Sequence, residues 1–162
     1  MRPLINIDEL GFHSQTHGDK FAAHMAPIAS RIGASKLGCR LTIVPPGKKA
    51  WPYHAHLVNE EMFFVLEGNG TLKLSGTTYP LRAGDVVCCV ADKDAAHEIF
   101  NDSSTDLKYL AISTMLEPDV VLYPDSKKLG VIAGRPPGRS AGDTTLKIFA
   151  PSDCGVDYWE GE

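Results

Sequence analysis

The stretch YHAHLVNEEMFFVLEGNG, Tyr53–Gly70, sets two histidines and two glutamates directly ahead of an apolar run that stops at glycines. Side chains on a strand alternate between faces, so His54 and His56 project to one side, about 6–7 Å apart along the backbone, and can share one cation. Glu61 begins the next strand, where Glu61, Phe63 and Val65 share one face and Met62, Phe64 and Leu66 the other. An isolated carboxylate on that apolar row would be strongly destabilised by desolvation, or would take up a proton, unless something cationic compensated it. A divalent metal supplies that compensation.

Outward from this stretch, short runs rich in Val, Ile, Leu, Thr and Tyr recur between turn signals: CRLTIVPPG, TLKLSGTTYPLRAGDVVCCV, HEIFND and LKYLAIST. That rhythm predicts antiparallel strands. The 15 glycines and 11 prolines interrupt most segments long enough for a helix, and none of them sustains a 3.6-residue period. The expected fold class is therefore all-β, a sandwich or a barrel, in one domain over residues 1–162. Its core spans about 38–115, between flanking extensions at 1–37, with one or two further strands, and 116–162. The second flank holds the loop AGRPPGRSAGD, a short strand TLKIFA, and the aromatic, acidic ending VDYWEGE, which is expected to pack on its own barrel or on a second subunit.

With 43% hydrophobic and 22% charged residues and a net charge of -4, the chain reads as a globular protein with no basic face for nucleic acid. No stretch approaches the ~18 apolar residues of a membrane span, and the first residues carry acids where a signal peptide needs an apolar core. A cytoplasmic setting is expected. Cys39, Cys88, Cys89 and Cys154 form no CxxC pair, and Cys88 and Cys89, adjacent on a strand, point to opposite faces, so buried thiols without disulfides are expected.

A third imidazole, His97, heads the run HEIFN beyond the Gly84-Asp85 turn. Imidazole and carboxylate together suit Fe, Mn, Zn, Ni, Co or Cu, and not a calcium-type oxygen cage. The series Gly47, His54, His56, Glu61, Gly68 closely resembles the first signature of the cupin superfamily, G-x(5)-H-x-H-x(3,4)-E-x(6)-G. Gly84, His97 and Asn101 echo the second, G-x(5)-P-x-G-x(2)-H-x(3)-N. Gly47 stands one residue further from His54 than that pattern has it. The second signature carries Val90 for its proline, Asp92 for its glycine and two extra residues before His97.

The resemblance covers roughly residues 38–115. It implies a double-stranded β-helix, or jelly-roll, barrel with N- and C-terminal extensions and one divalent transition metal (Fe, Mn, Zn, Ni or Co) inside. The ligands it implies are His54, His56, Glu61 and His97. It also implies a homodimer and a small-molecule substrate or ligand. The leading expectation is a metal-dependent enzyme resembling the sugar-phosphate isomerase-like cupins. An iron-dependent dioxygenase and a non-catalytic ligand-binding module are the alternatives. Glu60 is the candidate for moving protons beside the metal, since a catalytic carboxylate must reach the reacting group. Phe63 and Tyr109, on strand phases that face inward, are candidates for lining the substrate pocket. Lys48, Lys49 or Arg82 are candidates to meet a phosphate, and His13, His17 and His24 lie outside the site.

Overall fold

A computed structural model describes residues 3–134 and 146–162; most of the loop at 133–143 lies outside them. Thirteen strands, numbered in chain order, are present among the described residues, with two short 3-10 turns and no α-helix. One layer is a six-stranded antiparallel sheet. Its order is β1 (His13–His17), β2 (Phe21–Pro27), β3 (Leu37–Val44), β10 (Leu107–Thr114), β5 (Glu61–Glu67) and β8 (Val86–Cys89). Facing it are a sheet of β7 (Thr77–Arg82), β6 (Asn69–Leu74) and β9 (His97–Phe100), and another of β13 (Leu146–Pro151), β12 (Lys128–Ala133), β11 (Asp119–Tyr123) and β4 (Ala55–His56). A two-way backbone bridge between His54 and His97 joins these two smaller sheets. The result is the expected jelly-roll β-barrel.

Alternation along the central strands decides what lies inside. On β5, Glu61, Phe63 and Val65 are buried while Met62 and Phe64 are exposed, the phase read from the sequence. On β10, Leu107, Tyr109 and Ala111 turn inward, where they meet Leu72 of β6, Leu81 of β7 and Ile99 of β9 in the main core. Burying an apolar side chain of this size contributes about 1.5–3 kcal/mol. The outer face of β2, β3 and β10 is not left to solvent, because Ile5, Ile7 and Leu10 of the N-terminal extension cover Ala26, Leu41 and Leu110 there. All four cysteines are free, but only Cys89 is buried as expected: Cys39 is half-buried, Cys154 is exposed, and Cys88 is exposed because adjacent strand residues face opposite sides. Of the two places expected to receive the tail, its own barrel does not: Val156, Tyr158 and Trp159 are exposed.

Two residues of the signatures have structural work. Gly68 turns β5 into β6 at φ +83°, and a Cβ there would collide with the carbonyl oxygen of Asp106. Asn101, fully buried, donates from Nδ2 to Val44 O (2.7 Å) and Thr105 O (2.8 Å), and its Oδ1 accepts from Ser103 N and Oγ. Its backbone carbonyl also accepts from Gly47 N at 2.7 Å. The end of β9 is thereby fixed to the turn after β3. Asn101→Ala would leave buried carbonyls without donors. It is expected to lower unfolding free energy by about 2–4 kcal/mol in denaturant titration.

Candidate metal centre

The four ligand candidates arrive from both layers of the barrel. His54 is held by the bridge, its N donating to His97 O at 3.1 Å and His97 N donating to His54 O at 2.7 Å. His56, on β4, pairs with Val121 of β11. Glu61 opens β5 between Ser113 of β10 and Cys89 of β8. These frames aim three imidazole Nε2 atoms at one oxygen: Glu61 Oε2 lies 2.9 Å from His97 Nε2, 3.6 Å from His56 Nε2 and 3.7 Å from His54 Nε2. The side chains are 3% exposed at His97, 10% at Glu61, 12% at His54 and 15% at His56. Ligating atoms of His54, His56 and Glu61 all lie within 4.8 Å of one another, a group that could hold a metal ion. His97 joins it through Glu61.

The outer ring nitrogens show why the inner ones are free to ligate. His54 Nδ1 donates to Pro52 O at 2.7 Å, and His56 Nδ1 donates to Asp119 Oδ2 at 2.7 Å. His97 Nδ1 has a longer contact, 3.4 Å, with Ala95 O. An imidazole whose Nδ1 proton is held by an acceptor presents the Nε2 lone pair, the arrangement that orients histidine ligands around metals. The donor set thus fits a divalent transition metal.

Electrostatics run the same way. Burial alone would raise the Glu61 carboxyl, but hydrogen bonds with His54, His56 and His97 hold it well below the usual carboxylate range. Burial pushes His54 down, in favour of the neutral ring. Burial would lower His56 too, but its hydrogen bonds to Asp119 and Glu61 raise it to about 9.

The cluster opens into a cavity of about 530 Å³. His54, His56 and Glu61 belong to its wall, together with Arg40, Trp51, Ala111, Asp119, Val121, Tyr123 and Phe149. Glu60 does not belong to it: its side chain is exposed and its backbone N donates to Thr114 Oγ1. Phe63 and Tyr109 are inward, as expected, but lie behind the site in the core, with ring centroids 5.6 Å from His97 for Phe63 and 5.7 Å from each other. Asp119 escaped the sequence reading because only the pairing of β11 with β4 brings it to His56. Period-two alternation of Asp119, Val121 and Tyr123 was the one available signal. Its second oxygen, Oδ1, is buried with no partner among the described residues.

Two outcomes follow. Glu61→Gln alters a ligand candidate and is expected to weaken metal retention at least about 10-fold, the loss typical of altering even an outer partner, while Glu60→Gln leaves it unchanged. Elemental analysis after dialysis reads both. In protein stripped by chelator, protonated His56 contributes stability that is complete below pH ~6.5, its unfolded value, and is lost as pH rises through about 9. Thermal melts should register that loss, on the order of 2–3 kcal/mol, in the stripped protein and not after metal loading.

Comparison with known proteins agrees with the geometry. Residues 40–113 match the family model for the cupin domain. An oxalate-binding protein of Thermotoga maritima is 31% identical over 99 residues, spanning 61% of this chain and 78% of that protein. Among solved structures, a provisionally named sugar phosphate isomerase of Acidithiobacillus ferrooxidans is 28% identical, with 96% of each chain covered and a TM-score of 0.80. A cupin-superfamily sugar phosphate isomerase of Silicibacter pomeroyi shares the fold at 18% identity, with 94% of each chain covered and a TM-score of 0.78. Sequence and backbone point to one ancestry, and the chain belongs to the cupin superfamily.

Proposed function

We propose that this cupin is a metal-dependent enzyme acting on a small polar metabolite, and that its reaction is the isomerisation of a sugar phosphate. The observation that carries the proposal is the convergence of three Nε2 atoms on Glu61 Oε2 in the wall of a cavity whose size suits a small molecule. Likeness to the Acidithiobacillus protein over nearly the whole chain supports the choice of reaction. The cofactor is one divalent transition metal from among Fe, Mn, Zn, Ni and Co, with His54, His56, Glu61 and His97 as its ligands.

When bound, such a metal polarises a carbonyl oxygen and stabilises the negative charge that develops as a neighbouring carbon loses its proton. The chain's own part is positional and proton-carrying. Asp119, a carboxylate in the cavity wall with an unpartnered oxygen, takes over from exposed Glu60 as the group that accepts the carbon-bound proton and returns it to the adjacent carbon. Apolar neighbours Trp51, Val121 and Phe149 limit water beside it. The homodimer belongs to this proposal as well, since a second subunit would remove the exposed Val156, Tyr158 and Trp159 from water.

A second reading rests on the Thermotoga relative, which is an oxalate-binding protein: retention of a small dicarboxylate without turnover. One experiment separates the readings. Metal-loaded protein is incubated with aldose and ketose phosphates and with oxalate, with and without oxygen; products are followed by NMR and retained ligand by equilibrium dialysis. Interconversion that is abolished by chelator and indifferent to oxygen is the expected result. Oxygen consumption following iron would make the protein a dioxygenase, and tight oxalate retention with no product would make it a binding module.

A further inference from the structure

The cations named from sequence as phosphate partners do not line the cavity at the candidate metal centre. Lys49 Nζ lies 2.8 Å from Glu98 Oε1, Lys48 Nζ donates to Asp19 O at 2.6 Å, and Arg82 lines a separate shallow depression beside Asp85. Arg40 is different. It lies on β3 in phase with Thr42 and Val44, whose side chains are buried, and Val44 belongs to the barrel core; Cys39 and Leu41 face the N-terminal extension instead. Its guanidinium is therefore directed into the barrel, and Arg40 belongs to the wall of the same cavity as His54, His56 and Glu61. Its cross-strand partners are Ala111 and Pro27, small residues that leave room in front of it.

Among the described residues, the Arg40 guanidinium makes no ion pair and no hydrogen bond. Its one specific contact is with Trp51, the ring centroid lying 4.8 Å from Cζ. Stacking on an indole fixes the plane of the fork and leaves its N–H edge free. An inward arginine is ordinarily paired with an acid. Neither acid of this cavity pairs with Arg40: Glu61 faces the three imidazoles and Asp119 holds His56 through Oδ2. Their two negative charges match one divalent cation, which leaves Arg40 as surplus positive charge in the wall, with Lys147 a second at the exposed rim.

We propose that Arg40 is the anion anchor of this cavity: its ligand carries a carboxylate or phosphate that takes the guanidinium edge while other oxygens of the same molecule reach the histidine and glutamate cluster. A bidentate oxyanion is the partner that a planar, pre-stacked fork selects. This rests on the cavity being the ligand site, and it deepens the proposed reaction by naming the residue that selects charged metabolites over neutral ones.

Isothermal titration of metal-loaded protein with inorganic phosphate, malonate, a pentose 5-phosphate and the free pentose tests it. At least one anion is expected to bind, and the pentose phosphate to bind more tightly than the pentose. Arg40→Gln should weaken anion binding about 10- to 100-fold, the range for hydrogen bonds to charged groups. Arg40→Lys, which keeps the charge and stem, should lose less. Metal content and melting temperature should hold in both, and preference for phosphate over malonate, or the reverse, names the ligand's acid. No anion binding to the wild-type protein, or undiminished binding in Arg40→Gln, overturns the proposal. Anion binding that depends on Arg40 but brings no turnover would instead retire the isomerase reading and leave the anchor standing.

Discussion

A buried carboxylate facing three imidazoles, one of them buried and two half-buried, is the constraint on which the rest of the molecule depends. Glu61 stands on the same strand face as Phe63 and Val65, where an unpaired charge would be intolerable. It is tolerable because His54, His56 and His97 lie within 3.7 Å of one of its oxygens. Those rings stay in place through their outer nitrogens and backbone. Pro52 holds His54, Asp119 holds His56, and the paired amides of residues 54 and 97 lock two of the three ligand candidates to each other. Each support comes from a different piece of chain, so the cluster ties together both layers of the barrel.

This geometry divides the barrel interior by chemistry. On one side of the cluster, Phe63, Tyr109 and their neighbours pack into the apolar core. On the other lies the cavity, where Trp51, Val121, Tyr123 and Phe149 mix with Asp119 and Arg40. Low polarity behind the site strengthens the electrostatics in front of it, because a charge with apolar backing is poorly screened. Against burial, His56 is raised first by its hydrogen bond to Asp119 and then by Glu61, while all three imidazoles lower Glu61, so the His56–Glu61 contact contributes to both shifts.

Asp119 and Arg40 extend the site beyond the ligand cluster. One comes from β11, after the matched family region, and the other from β3 at its start. Both meet the ligand cluster only because antiparallel pairing closes the barrel: β11 against β4 in one case, β3 against β10 and β10 against β5 in the other. A function resting on the cluster and its cavity is therefore distributed over most of the chain.

The strand class, the inward phase of β5 and the nearness of His54, His56 and Glu61 are legible in the chain itself, because two-residue alternation and spacing are local properties, whereas His97 enters only through the resemblance to the cupin signatures. The sequence also carried the turn at Gly68, whose positive φ only glycine adopts readily. Tertiary structure alone decided which acid supports which histidine, that Glu60 faces water, that Phe63 and Tyr109 lie behind the site, and that Arg40 faces the cavity with no acid beside it. Those outcomes depend on register between strands distant in sequence. A one-residue slip in pairing would carry every side chain of a strand to the other face, and nothing local to the chain fixes that register.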